Sequence, residues 1–389
     1  MKKLNQDYWV QVLLEWFEKN KRTLPWRIDR TPYKVWISEI MLQQTRVNAV
    51  VPYYQKFIDQ FPSIEALGES SLEDVYKLWE GLGYYSRAKN MVASARLIVE
   101  KYHGVFPVSY QDIVSLPGIG DYTAGAILSL AFNKPYPAID GNVLRLISRL
   151  NNDFSDIMDS TYRNKVREMI QGVYPSGQAR NFTEALMEFG SLVCVPAKPS
   201  CPKCPLIDFC FGYKEQNQLI LPIKKKKLKS EIIQMTVAVV ELSGRVLIVK
   251  REETGMLANL YGYPLFSVFS RKSFLKELHD FLSQRQIPTS YKATYKGIVE
   301  HEYSHQIWRS KIYTVKIHHL DEIKKEPFNS AEKNCVKDGI KKENRGEEKW
   351  MWVKEAETAM YPISRFFRKV ENVLKEKRDR GDSNSRSPA

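Results

Sequence analysis

The chain has 389 residues, with 59 Lys and Arg against 45 Asp and Glu, a formal net charge of +14. That length predicts two or three domains, and a hydrophobic content of 43% excludes a disordered chain. Five cysteines exclude a disulfide-stapled scaffold, and no apolar run nears the roughly 20 residues of a membrane helix. Asp7, Glu15 and Glu18 interrupt any signal-peptide core after Lys2 and Lys3, so a cytoplasmic protein is expected. The basic excess fits a polyanionic partner and fits an ordinary basic enzyme equally well.

Residues 1 to about 212 read mostly as helices. Leu13, Leu14, Trp16 and Phe17 fall at helical spacing, as do Val143, Leu146, Ile147 and Leu150. Breakers separate the helices: Leu24-Pro25, Phe61-Pro62, Phe106-Pro107, Leu116-Pro117-Gly118 and Tyr174-Pro175. This pattern predicts an all-α first half. Leu221-Pro222-Ile223 then leads into a lysine run, Lys224 to Lys227 and Lys229, which reads as a solvated basic linker. Beyond it the period changes to that of strands. Met235–Leu242 and Val246–Val249 read as a hairpin through Ser243-Gly244, and Ile307–Ile317 as a further strand. Phe274, Leu278, Phe281 and Leu282 mark one amphipathic helix; Phe366, Phe367, Val370, Val373 and Leu374 mark another. The second half is therefore α+β, with a polar insertion near residues 329–349 and a frayed tail at the end.

Four motifs carry chemistry. Cys194, Cys201, Cys204 and Cys210 give Cys-x6-Cys-x2-Cys-x5-Cys, four thiols close enough in sequence to hold one centre, either zinc or a four-iron, four-sulfur cluster. Cys335 lies in the polar insertion and needs no role. Leu116-Pro117-Gly118-Ile119-Gly120 precedes an apolar helix and reads as the hairpin of a helix-hairpin-helix motif, whose amides could meet a phosphate. Glu39 shares a helix face with Val35, Trp36 and Leu42, and low-dielectric surroundings there would raise its pKa toward general-acid use. Without further context a place at the solvent edge of the helix is the favoured reading of Glu39. Asp140 stands directly before a helix and reads as its N-cap, with cap amides keeping it ionised. A neutral acid beside an ionised carboxylate is the arrangement that cleaves glycosidic bonds.

His301-Glu302-Tyr303-Ser304-His305 matches the H-E-x-x-H zinc-protease pattern, but both flanks are strand-like. In a strand the two histidines would be about 13 Å apart, too far for one metal. Neither the G-x5-E-x7-R-E-x2-E-E-x-G box of nucleoside diphosphate hydrolases nor a G-x4-G-K-[ST] phosphate loop occurs.

Taken together, these segments resemble the MutY family of adenine DNA glycosylases, within the helix-hairpin-helix glycosylase superfamily. The resemblance is carried by Leu24-Pro25-Trp26-Arg27, by Trp36 to Val47, by Trp79 to Arg87, by the Pro-Gly turn, by Ala138 to Val143 and by the four cysteines. It runs from about Trp9 through His305 and weakly to Phe367. It implies a multidomain fold: an all-α helix-hairpin-helix glycosylase domain with an iron–sulfur loop, followed by an α+β Nudix-like domain. The helical domain would span 1–212, with a barrel at about 29–134 and a cluster subdomain from about 1–28 and 135–212. A basic linker (213–230), the Nudix-like domain (231–375) and a tail (376–389) would follow.

The resemblance also implies roles. Glu39 would protonate N7 of a flipped-out adenine, and Asp140 would stabilise the sugar cation. Tyr122 and Asn142 would position them. Trp26, Arg27 and Glu184 would line the adenine pocket. Gln44 and Tyr84 would wedge into the duplex, with Gln43, Thr45, Leu82, Gly118 and Gly120 also on the DNA side. The cysteines would hold one 4Fe-4S cluster. Tyr303-Ser304-His305 would match a Phe-Ser-His motif that reads 8-oxoguanine, which assigns Ser304 and His305 to the opposing base. Double-stranded DNA with A:8-oxoguanine or A:guanine mispairs would be the partner of a nucleoid-associated, non-membrane monomer. Arg46, Arg87 and Lys89 could hold phosphates.

Three rival readings remain at this point. An endonuclease III-like glycosylase/lyase needs a Schiff-base Lys two residues after the second hairpin glycine, where this chain has Tyr122. A non-catalytic iron–sulfur DNA-binding or redox-sensing protein would not need both Glu39 and Asp140. A zinc protease would need the H-E-x-x-H segment to be a helix.

Overall fold

The computed structural model describes residues 8–225, 231–303, 306–318 and 350–379. Ser304, His305, Cys335, the 329–349 insertion, Lys226 to Lys229 and the tail from Gly381 onward lie outside the described residues. By packing, the chain forms two compact units: Met1–Leu72 with Ser86–Lys227, and Glu73–Tyr85 with Leu228–Ala389.

The helices of the first half are α1 (Tyr8–Asn20), α2 (Pro25–Ile28), α3 (Pro32–Leu42), α4 (Val47–Gln60), α5 (Ile64–Glu69) and α6 (Leu72–Trp79). They continue as α7 (Ser86–Tyr102), α8 (Tyr110–Val114), α9 (Asp121–Ala126), α10 (Gly141–Asn151), α11 (Ser160–Gln171), α12 (Ala179–Leu192) and α13 (Phe211–Lys214). Local chemistry starts several of them. Thr31, Ser63, Ser109 and Asp159 each accept an amide of the following turn, and Pro32 takes the first position of α3, where no amide partner is needed. The apolar helix expected after the Pro-Gly turn is α9 continued by one π turn, Ile127–Ala131.

One core joins α1, α10, α11 and α12 through Trp9, Leu13, Phe17, Val143, Leu146, Ile147, Val166, Ile170, Phe182 and Phe189. Cys194 is buried in it, and Cys204 and Cys210 pack against it. The segment after Cys210 is not free linker. Leu221 is buried, and Ile223 pairs with the chain at Asp156–Ile157.

The second unit is built on one seven-stranded mixed sheet among the described residues: β1 (Glu231–Leu242), β2 (Arg245–Lys250), β3 (Tyr261–Gly262), β4 (Leu265–Phe266), β5 (Tyr291–Glu302), β6 (Gln306–Ile317) and β7 (Trp350–Lys354). The main order is β3-β2-β1-β6-β5, with β4 on β1 and β7 on β2; β1 and β6 run parallel. The β1–β2 hairpin turns at Ser243 and Gly244, both at positive φ, as the sequence predicts.

Alternation explains why β1 is apolar throughout. Met235, Val237 and Val239 face α15 (Arg365–Asp379) through Phe366, Phe367 and Val370; Ala238 and Val240 face α14 (Arg271–Gln284) through Phe274, Leu278 and Leu282. Tyr261-Gly262-Tyr263 fits this core, since a Cβ on Gly262 would lie 2.1 Å from the Phe367 ring. The last helix runs past the expected domain end at 375 to Asp379, held by Arg378 Nη1 donating to Glu355 Oε2 at 2.8 Å.

Segment Glu73–Tyr85 belongs to this second unit through charge pairs. Lys250 Nζ and the Tyr261 hydroxyl meet Glu73, and Arg368 Nε donates to Glu80 Oε1 at 2.7 Å. Arg368 also pairs with Glu371, which accepts from the Tyr263 hydroxyl. His301 and Glu302 lie in β5, so the H-E-x-x-H pattern has no helix over its described part.

Candidate active site

Glu39 is 4% exposed, which overturns its expected place at the solvent edge. Almost the whole of α3 is buried, so no face of it is left for solvent. Both ends of that helix are tied. Thr31 caps the start, and Arg87 Nη1 donates to the carbonyls of Ile40, Met41 and Gln43 at the end. Arg87 is therefore a buried C-terminal cap rather than a phosphate ligand. Tyr122, in the first turn of α9, donates its hydroxyl to Glu39 Oε2 at 2.7 Å. Burial raises Glu39 to about 7; Asp140 and Glu184 add to the rise, while the Tyr122 hydrogen bond and Arg27 oppose it. The Tyr122 phenol, pushed well above its ordinary value by burial, stays protonated and so keeps a hydrogen to donate to Glu39.

Asp140 caps α10. Its Oδ1 accepts from the Val143 amide at 2.8 Å, and its Oδ2 from Asn142 Nδ2 at 2.7 Å. Burial holds Asp140 above the ordinary carboxylate value; the Val143 and Asn142 hydrogen bonds and the Arg145 charge pull against it. The cap thus offsets burial rather than overcoming it. Asn142 cannot flip, because Arg145 Nη2 donates to its Oδ1 at 2.9 Å and arginine has no acceptor to offer. Arg145 is itself fixed by the carbonyls of Cys194 and Gly190. Gly190 permits the approach: a Cβ there would lie 2.7 Å from Asn142 Cβ.

Glu184, which acts electrostatically on Glu39, lies on α12, with Glu188 one turn on. Glu184 Oε2 pairs with Arg30 at 3.1 Å and with Arg27 Nε at 3.6 Å. Burial raises Glu184 against the pull of Arg27 and Arg30. Glu188 takes Arg22 and Arg27 together; burial alone would raise it, but their hydrogen bonds bring it down to about 2. Trp26 is buried and makes a T-shaped ring contact with Tyr54.

The family described as HhH-GPD superfamily base excision DNA repair protein matches residues 37–171, and the NUDIX domain family matches residues 236–372. A curated adenine DNA glycosylase of Buchnera aphidicola (subsp. Schizaphis graminum) is 39% identical over 257 residues, 66% of this chain and 74% of that protein. The chain belongs to the adenine DNA glycosylases. The adenine DNA glycosylase of Homo sapiens is 31% identical over 352 residues, 75% of this chain and 64% of its own length. Among solved structures, a thermostable thymine-DNA glycosylase shares 29% identity over 54% of this chain and 97% of its own, with a TM-score of 0.49.

The other expected residues of this adenine DNA glycosylase fall on connections. Gln43 caps α3 and its Nε2 donates to Thr123 Oγ1 at 3.3 Å; Gln44 follows at positive φ, then Thr45. Gly118 has a positive φ, and a Cβ there would lie 2.7 Å from Asn90 Cβ; Gly120 caps α9 with open space beside it. Leu82 is buried and Tyr84 exposed, on a turn where Gly81, Gly83 and Tyr84 all have positive φ. The four cysteine thiols line one cavity of about 390 Å³, counting solvent at its mouth, with Leu146, Arg149 and Leu206. Burial pushes the Cys204 thiol up to about 12 and raises Cys201 and Cys210 as well.

Sequence reasoning missed Arg22, Arg145, Arg149 and Glu188. The available signal was helical spacing: Arg145 and Arg149 sit one turn apart on the capped helix, and Glu188 one turn beyond Glu184.

Proposed function

We propose that this chain hydrolyses the N-glycosidic bond of adenine mispaired with 8-oxoguanine or guanine in duplex DNA, as a monomer and without lyase activity. The observation that carries the reading is Glu39: a buried acid able to hold a proton near neutral pH, hydrogen-bonded by Tyr122 and electrostatically coupled to Asp140. An adenine stacked in duplex DNA is out of reach, so the base is flipped into the pocket first. Glu39 passes its proton to N7. The C1′–N9 bond then breaks with its electron pair leaving on adenine, and the cation at C1′ is stabilised by Asp140. Water adds to C1′ and its proton leaves to a carboxylate. Asn142, locked by Arg145, keeps Asp140 turned toward that charge. Tyr122 fills the position where a lyase would carry its Schiff-base lysine, and its hydroxyl is committed to Glu39.

Cys194, Cys201, Cys204 and Cys210 would hold one 4Fe-4S cluster. One arrangement supports that group: the four cysteines line a single cavity beside Arg149. Arg149 is 1% exposed; it donates to the carbonyls of Val195, Pro196 and Leu221, and its Nη1 lies 3.4 Å from Cys194 Sγ. A buried guanidinium held by neutral acceptors suits a neighbour that supplies negative charge. Held by these cysteines, the cluster would tie their loop to the helical core; the acid and cation steps belong to Glu39 and Asp140.

Recognition of 8-oxoguanine falls to Ser304 and His305 by resemblance. Their neighbour Tyr303 is held by ring contacts with His301 and Trp308. The test is single-turnover excision on duplexes carrying A:8-oxoguanine, A:guanine, A:T or thymine glycol:A. Adenine-strand cleavage opposite 8-oxoguanine or guanine, dependent on alkali and lost in Glu39→Gln, is expected. Thymine glycol cleavage without alkali would favour a lyase, and tight binding with no cleavage would leave a DNA-binding protein.

A further inference from the structure

Glu188 takes no part in the acid or cation step, yet it is 1% exposed and carries the densest set of charged hydrogen bonds near the site. Its Oε1 accepts from the Arg22 amide at 2.9 Å, Arg22 Nε at 2.8 Å and Arg27 Nη1 at 3.3 Å. Its Oε2 accepts from Arg22 Nη2 at 2.7 Å and Arg27 Nη2 at 3.1 Å. Arg27 Nη1 also donates to the Arg22 carbonyl at 3.0 Å. Both Nη atoms of Arg27 are thereby anchored, and only its Nε edge is left toward Glu184, at 3.6 Å.

We propose that Glu188 is a positioning residue for the acid step: it fixes Arg27 beside Glu184 and cancels positive charge that Arg27 would otherwise place near Glu39. The proposal rests on the reading of Glu39 as the acid. Glu39 is faced by Tyr122 from α9, Asp140 at the start of α10, Glu184 from α12 and Arg27 from α2. Glu184 is faced by Arg27, Arg30, Arg180 and Glu188. Glu188 meets Arg22 and Arg27, and Ser191 Oγ accepts from Arg22 beside it. With Glu188 charged, one carboxylate answers Arg22 and Arg27, and Glu184 is shared mainly with Arg30. Without that charge, Arg27 has Glu184 as its nearest carboxylate, and the surplus positive charge favours ionised Glu39. An acid that must carry its proton then loses it at lower pH.

The test is single-turnover excision from an adenine-mispaired duplex between about pH 5 and about pH 9. In Glu188→Gln the alkaline limb should move down by on the order of one pH unit, with a smaller fall in the low-pH plateau. Glu188→Asp should move it back toward the parent position. In an Arg27→Gln background, Glu188→Gln should leave the limb in place. A Glu188→Gln limb unchanged in position, with the rate lowered equally at every pH, would overturn the proposal and leave a purely structural carboxylate. Should Glu188→Gln not fold, the charge-balanced pair Arg22→Gln with Glu188→Gln must lower the limb in the same way. Absence of any alkaline limb in the parent protein would instead sink the Glu39 assignment itself.

Discussion

Glu39 on α3 and Glu188 on α12 are buried almost equally, at 4% and 1% exposure, within the same compact unit. Their protonation goes opposite ways, Glu39 up to about 7 and Glu188 down to about 2. The difference lies in the donors. Glu39 receives one neutral hydroxyl, whereas Glu188 receives two guanidiniums and a backbone amide. Burial alone therefore does not decide the state of an acid; the charge of the groups buried with it does. The same helical unit uses one arrangement to store a proton and the other to hold cations in place.

Breaking the Glu39 side has the largest expected effect. Glu39→Gln keeps the shape and removes the proton, so single-turnover excision should fall roughly 10²- to 10⁴-fold. A smaller loss would point to another acid. On the other side, Glu188→Ala leaves the guanidiniums of Arg22 and Arg27 with no shared carboxylate. It should cost about 3 kcal/mol of stability, read as a lowered Tm. An unchanged melting curve would mean that water replaces the carboxylate freely.

The contrast sharpens with pH. A carboxyl raised to about 7 binds its proton more tightly in the folded chain, so its contribution to stability is lost as pH rises from about 4.5 through 7. Glu39→Gln should thus stabilise the fold by about 1–3 kcal/mol near pH 8, with the gain shrinking toward pH 5. Equal melting of parent and variant at pH 8 would contradict the proton-holding state. The smallest expected effect is that of Tyr122→Phe. Its hydroxyl favours ionised Glu39, so losing it should move the alkaline limb of excision upward by less than about one unit. A downward move would reverse the assigned role of that hydrogen bond.

What was legible in the sequence was local. Asp140 as an N-cap needs only its own side chain and the Val143 amide. The β1–β2 hairpin needs only two turn residues, and α14 and α15 show their buried stripes in their own spacing. Helix spacing alone puts Glu39 at the solvent edge, because its burial depends on α9, whose Tyr122 lies 83 residues away. Glu188 was passed over because its arginine is 166 residues distant. Arg145 and Arg149 look like a solvated stripe until carbonyls from the cysteine loop are brought onto them. Arg87 looked like a phosphate ligand for the same reason: its partners are the last carbonyls of α3.

The pairing of Glu80 with Arg368, and of Glu73 with Lys250, joins residues 288 and 177 positions apart. It makes the second unit discontinuous, with a piece of the helical half built into it. Cutting the chain after Lys225 would therefore remove more than the sheet domain. It would strip Glu73 and Glu80 of their cations while leaving the turn of Leu82 and Tyr84 attached to the part that remains. Activity lost in such a shortened chain would report on that turn as well as on the missing half, and a point change at Arg368 separates the two.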